Sequence, residues 1–238
     1  MAKSVLHTAD TRGQADHGWL KSAHTFSFAS YHNAERMHFG TLRVLNDDRV
    51  SPGRGFGEHP HNNMEIISIP LKGALQHQDN MGHQGVIHPG EIQVMSAGTG
   101  IYHSEFNASR TEDVEFLQIW LFPNQQNVSP RYDQLEIDYK SRPNVLQQVL
   151  SPDSGDAGVW IHQRAWFNMG IFKPGADQKY SLKDPLNGVY IFILEGSIKV
   201  GDQLLNRRDG YGLWEVSDFS FSAVEDAEVL IMEVPMVI

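Results

Sequence analysis

The feature that most constrains this chain is a recurring texture: short runs of β-branched and aromatic residues, each closed by Gly, Pro, Asn or Asp. A first set comprises GTLRVLND (Gly40–Asp47), MEIISIPL (Met64–Leu71), EIQVMSAG (Glu91–Gly98) and VEFLQIWLF (Val114–Phe122). A second set comprises VLQQVL (Val145–Leu150), GVYIFILEG (Gly188–Gly196), YGLWEV (Tyr211–Val216) and AEVLIMEVP (Ala227–Pro235). Runs of this length and composition predict strands. No segment of convincing length carries a helical period, and 21 Gly and 11 Pro supply the punctuation for many turns. The chain reads as all-β.

Between the sets lies PNQQNVSPRYDQLEIDYKSRPN (Pro123–Asn144), polar and proline-marked, which predicts a linker or a long crossing segment. The two sets also look like divergent copies. In each, a strand ends in a glycine turn, at Gly73 and at Gly196, and a second turn follows at Pro89-Gly90 and at Asp209-Gly210. Two similar β units in a 238-residue chain fit sandwich or barrel modules.

Composition narrows the partners. The formal net charge is −10, and Arg207-Arg208 is the one adjacent basic pair. Phosphate binding needs clustered Lys and Arg, so direct nucleic-acid binding is not expected. Arg207-Arg208 reads as a solvated turn, and the dispersed acidic pairs Asp47-Asp48 and Glu112-Asp113 read as solubilising charge. The absence of cysteine excludes disulfides and thiolate ligands and fits a reducing compartment. The N-terminal stretch has no apolar signal-like core, and the longest apolar run, Val189 to Leu194, is too short to span a bilayer. A soluble cytoplasmic protein without membrane contact is the expectation.

Two clusters carry possible chemistry. GEHPHNNME (Gly57–Glu65) sets His59 and His61 two residues apart, so on a strand both point to one face. Continued parity would add Asn63, Glu65, Ile67, Ile69 and Leu71 to that face. A polar turn leading into a strand explains the same residues without a ligand. Pro60, lacking an N–H, suits a strand edge or bulge. SAGTGIYHSEFN (Ser96–Asn107) repeats the spacing with His103 and Glu105. Two such pairs on two strands could converge as three imidazoles and a carboxylate, a donor set for a divalent metal with positions left open.

These residues carry a family resemblance. Gly53-x5-His59-x-His61-x3-Glu65, continuing to Gly73, resembles the first cupin motif. Gly90 through His103 to Asn107 resembles the second, although Ser96 stands where proline is usual and two extra residues separate Gly98 from His103. With HGWLKSAHTFSFASY (His17–Tyr31), these departures resemble the pirin family, in particular its bacterial quercetin dioxygenase-like members. The resemblance implies a bicupin of two antiparallel, jelly-roll-like β-barrels, divided here as residues 1–134 and 135–238, with metal in the first only. KPGADQKYSLKDPLNG (Lys173–Gly188) has no histidine, which agrees with a metal-free second unit. Carried over by position, the ligands are His59, His61, His103 and Glu105. Glu65, the ligand in many other cupins, becomes a neighbouring group, although strand parity alone admits either glutamate.

The resemblance further implies a dioxygenase that cleaves a flavonol such as quercetin with O2 and releases carbon monoxide, with Glu105 taking the substrate proton. One divalent transition metal is expected, iron foremost, with manganese, cobalt, nickel, copper or zinc also compatible with three nitrogens and one oxygen. Some pirins resemble redox-sensitive regulators instead, which would make a protein the partner in place of a flavonol and O2. The remaining histidines of the hairpin-like LQHQDNMGHQGVIHPG, His77, His83 and His88, read as solvated. Trp19, Phe26, Phe28 and Tyr31 read as core or interdomain packing, with a substrate mouth as the alternative; Trp120 and Phe122 read as core.

Overall fold

The computed structural model describes residues 2–238. The strands run β1 (Lys3–His7), β2 (Gly13–Asp16), β3 (Leu20–His24), β4 (Leu42–Val50), β5 (Gly55–His61), β6 (Glu65–Lys72), β7 (Leu75–Asp79), β8 (Gln84–Ile87), β9 (Glu91–Ser96), β10 (Ile101–Asn107), β11 (Val114–Leu121) and β12 (Arg131–Glu136). They continue as β13 (Gln147–Ser151), β14 (Val159–Trp160), β15 (Trp166–Phe172), β16 (Asp177–Ser181), β17 (Asn187–Glu195), β18 (Ser197–Val200), β19 (Gln203–Asn206), β20 (Gly210–Trp214), β21 (Asp218–Ala223) and β22 (Ala227–Pro235). Two short 3-10 turns, Ala9–Thr11 and Tyr139–Ser141, are the helical elements among the described residues.

Each unit places a seven-stranded sheet against a four-stranded one. The first pairs β12-β9-β6-β11-β4-β3-β2 with β5-β10-β7-β8. The second pairs β1-β20-β17-β22-β15-β13-β14 with β16-β21-β18-β19. The units are thus two jelly-roll-like sandwiches of open sheets, not closed barrels. Two features cross the expected division. β1 pairs with β20 of the second unit along its full length, from Lys3↔Trp214 to His7↔Gly210. The predicted linker contains β12, which pairs with β9 through Glu136↔Glu91, so a cut at 134/135 passes through a strand.

The larger sheets face each other. Their contact is the largest core cluster, in which Leu45, Ile67, Ile69, Leu117 and Ile119 of the first unit meet Val149, Phe167, Phe192, Leu230 and Met232 of the second. The opposite faces fill the sandwiches, with Val50, Leu75, Ile87 and Phe116 in the first and Val189, Ile191, Phe221 and Val229 in the second. A strand buried on both faces needs apolar side chains at consecutive positions, which explains the uninterrupted runs of β17 and β22.

Of the basic pair, Arg207 is exposed as expected, but Arg208 is not. Arg208 is buried, and its Nε lies 2.9 Å from Asp47 Oδ2, which also receives Arg12 Nη1 at 3.4 Å. Asp47 therefore ties the units together rather than solubilising the chain. Arg208→Ala removes one of the two guanidiniums at the half-buried Asp47, which keeps Arg12, and leaves the buried Leu194 carbonyl without its donor, so it should cost about 1–3 kcal/mol, read as a lower urea midpoint.

Candidate metal centre

The four-stranded sheet of the first unit holds the predicted ligands. β5 is its edge strand, and Pro60 sits there with its ring outward and exposed, where a missing N–H costs no ladder bond. β10 lies beside it, with Ile101↔His61 and His103↔His59 directly opposite. Beyond His103 the register shifts, and Glu105 pairs with Phe56. The extra residue falls on β5 between Phe56 and His59. A bulge there restores both to one face, so Phe56 turns inward with His59 and His61.

This geometry brings three imidazoles together. One ring nitrogen each of His59, His61 and His103 lies within 4.8 Å of the others. His59 Nδ1 is 2.7 Å from the Gly57 carbonyl. A carbonyl only accepts, so Nδ1 carries the proton and Nε2 presents its lone pair. His61 Nε2 and both nitrogens of His103 are buried without a hydrogen-bond partner. Burial, with its imidazole neighbours, holds the pKa of His61 down to about 4 and that of His103 lower still, so both stay neutral. Buried orphan nitrogens are costly, and neutral imidazoles are good donors to a divalent cation. The residues fit a metal.

Glu105 is the fourth predicted ligand. It is fully buried, accepts a hydrogen bond from Ser68 Oγ at 2.9 Å, and belongs with His103 and His77 to a second group of potential donors within 4.8 Å. Burial raises its pKa to about 7, against the Ser68 bond. His103 is shared by both groups and joins the imidazole triad to the carboxylate.

Two expectations fail here. Glu65 does not share the face of His59 and His61, because the chain leaves one sheet and enters the other between them, turning at Asn63 with φ of 45°. β6 then directs Ile66 and Ser68 into the sandwich and Glu65, Ile67 and Ile69 toward the second unit. Burial raises the Glu65 carboxyl to about 7, against the hydrogen bond it accepts from Ser96 Oγ at 2.7 Å, the His162 backbone amide and Arg131. It is an interface residue.

His77 is likewise not solvated. β7 alternates Leu75, His77 and Asp79 inward with Gln76 and Gln78 outward, and that alternation was present in the sequence. His77 Nε2 lies 3.3 Å from Asp79 Oδ2, and its ring stacks on Tyr132 at 4.7 Å. His83 and His88 are exposed as expected, although His83 Nδ1 also meets Asp79 at 2.9 Å. Trp120 packs against the small core cluster of Ile66, Met95, Ala97 and Ile101 as expected and also faces the site, with its ring edge-on to His61 at 4.8 Å and to Phe28 at 5.4 Å.

A cavity of about 440 Å³ opens beside His59, with Phe28, Phe56, Trp120, Asn46, Asp48 and His24 in its wall. Of the aromatic N-terminal residues, Phe28 shapes this mouth, whereas Phe26 belongs to the core between the units.

An all-β bicupin with a histidine-lined metal centre in one sandwich is the class that fold and site define. Comparison with known proteins agrees. Residues 5–121 match the pirin family, and residues 148–234 match the quercetinase C-terminal cupin domain. The chain is 40% identical to the quercetin 2,3-dioxygenase of Escherichia coli K12, over 98% of this chain and 99% of that protein. It is 38% identical to a pirin-like protein of Caulobacter vibrioides, over 94% and 96%. The crystal structure of YhhW from Escherichia coli superposes with a TM-score of 0.94 at 39% identity, covering 99% of both chains. A nickel(II) complex of the same bacterial pirin superposes with a TM-score of 0.93 at 38% identity, covering 99% of this chain and all of that one. The chain belongs to the pirin family.

One triad of this kind predicts one metal. Elemental analysis of the purified protein should approach one transition-metal ion per chain. A reproducible value near two would bring the group around His77 into play as a separate site.

Proposed function

We propose that the protein is a metal-dependent dioxygenase that opens a flavonol such as quercetin with O2 and releases carbon monoxide, with His59, His61, His103 and Glu105 as its metal ligands. One observation carries this reading: three convergent imidazoles, two of them (His61 and His103) with buried unpaired nitrogens, stand beside a largely apolar cavity large enough for part of a flat aromatic ligand. The identity to proteins named quercetin 2,3-dioxygenase supports it over nearly the full chain.

A bound divalent cation would lower the pKa of a hydroxyl placed against it and so favour a substrate anion. The chain's own groups do the rest. Phe28, Phe56 and Trp120 offer aromatic faces and edges against which a flat ring can lie, and they exclude water from it. Glu105 accepts the hydroxyl proton. In the metal-free chain burial holds this carboxyl near pH 7, and a neighbouring cation would lower it toward the charged form that a base requires. Ser68 holds one carboxylate oxygen and so fixes its orientation. Tyr132 and Asp79 pin His77 behind His103, so the triad rests on a packed wall rather than on solvent.

The test is aerobic turnover of quercetin by protein reconstituted with iron, manganese, cobalt, nickel, copper or zinc in turn. Bleaching of the flavonol band, O2 consumption and carbon monoxide should rise together with at least one metal. Turnover no faster than with free metal ions would contradict the reading and move attention to a regulatory role with a protein partner.

A further inference from the structure

The larger sheet of the first unit carries a row of polar side chains where a sandwich interior is ordinarily apolar. His24, Asn46, Gln118, Ser68 and Gln93 are successive cross-strand neighbours on β3, β4, β11, β6 and β9. One rung along, Ser22 stands opposite Asp48. Directly opposed residues in antiparallel strands share a face, so these groups form one continuous band facing the four-stranded sheet. Ser68, fourth in the row, holds Glu105. At the inner end Gln93 Nε2 reaches His77 at 3.4 Å while Gln93 Oε1 is unpaired, and Gln93 lies away from the cavity.

The outer end is different, because it is open to the cavity. His24, Asn46 and Asp48 all line the cavity while being at most 3% exposed. Asn46 Oδ1 and His24 Nδ1 have no hydrogen-bond partner, and Asp48 has only the hydroxyl of Ser22. No ion pair involves any of the three among the described residues. Ser22 donates to one Asp48 oxygen, which leaves the other free. Burial pushes the Asp48 carboxyl up to about 7, so near neutrality it can either donate or accept. Unpaired polar atoms in a buried wall are costly unless a ligand supplies the partner. Nothing in the metal chemistry uses them.

We propose that His24, Asn46 and Asp48 form a hydroxyl-recognition subsite, which selects aromatic ligands bearing a ring hydroxyl remote from the one that meets the imidazoles. The ligand class rests on the dioxygenase reading; the recognition itself rests on the unpaired wall. The apolar rings of Phe28, Phe56 and Trp120 accept any flat aromatic of suitable size. They cannot by themselves distinguish a bare ring from a hydroxylated one, whereas buried groups left unpaired by the wrong ligand can. Specificity would then come from the far wall and reactivity from the near one.

The experiment compares quercetin with 3-hydroxyflavone, which keeps the hydroxyl next to the ring carbonyl and lacks all the others. Both are titrated calorimetrically into nickel-loaded protein without O2, and turnover of each is measured separately in air. Quercetin should bind about 10–100-fold more tightly to the native protein. Asn46→Leu should reduce that ratio by about tenfold or more. Asp48→Asn, which keeps size and Ser22 within reach, should reduce it as well and guards against misfolding of the first variant. Equal affinities in the native protein, no binding of either compound, or an unchanged ratio in both variants would overturn the subsite. Discrimination with no turnover by the protein loaded with any of the six metals would leave the subsite standing and defeat the dioxygenase reading; turnover without discrimination would do the reverse.

Discussion

Replacing His103 by leucine should abolish metal binding while leaving the metal-free protein at least as stable as the native one. His103 is almost wholly buried and neutral, and neither ring nitrogen has a partner. In the metal-free state the imidazole is therefore a burden, and an apolar side chain of similar volume removes an unpaired polar group. With metal the sign reverses. Nickel at about 100 times its dissociation constant should stabilise the native protein by about 2.7 kcal/mol. For a chain of this size that corresponds to a rise in Tm of about 5–10 °C. The variant should show no such rise, and its metal affinity should fall by more than the 10–100-fold typical of losing an outer contact. Scanning calorimetry of both proteins with and without nickel checks the pair of effects. A metal-free variant that no longer folds would show that His103 has a structural role independent of metal.

The two glutamates should separate completely. Glu105→Gln keeps the Ser68 contact but removes the charge and the proton acceptor, so turnover should fall by about 10²–10⁴-fold and metal binding should weaken. Glu65→Gln should leave metal content and turnover unchanged, since Glu65 faces the second unit. Its effect is on stability. Burial holds Glu65 up to about 7, above its ordinary value of 4.5. The folded chain keeps this proton where the unfolded chain has lost it. The stability contributed by the neutral carboxyl is thus complete below about pH 4.5 and lost as pH rises to about 7. Glutamine does not titrate. Relative to the native protein, Glu65→Gln should therefore gain up to about 3 kcal/mol between pH 5 and pH 8, measured by denaturant unfolding at both values. A loss of metal in Glu65→Gln, with metal and activity intact in Glu105→Gln, would reverse the assignment.

What could be read from the sequence followed from burial. The apolar runs predicted as strands became β4, β6, β9 and β11 of one seven-stranded sheet and β13, β17, β20 and β22 of the other. Those sheets are covered on both faces, by a sandwich interior on one side and the opposite unit on the other. The strands of the four-stranded sheets have one face in solvent, and their alternating polar residues resemble loops in composition. β7 is the instructive case. LQHQD reads as polar, yet every second residue is buried, so His77 was misplaced although its parity was available. The convergence of His59 and His61 with His103 was legible because the spacing of two survives within a single strand. Glu65 was not, because parity does not carry across the turn at Asn63. Arg208 and Asp47 were illegible for a different reason: a long-range ion pair between units leaves no local signature.

The proposed metal position is single, bounded by His59, His61 and His103, with Glu105 completing the set. Anomalous diffraction from crystals of the nickel-loaded protein tests it directly. One peak per chain is expected, within bonding distance of one nitrogen of each of the three imidazoles and of a Glu105 oxygen. A peak held by His77 in place of His59 and His61, or a peak in the second unit, would contradict it.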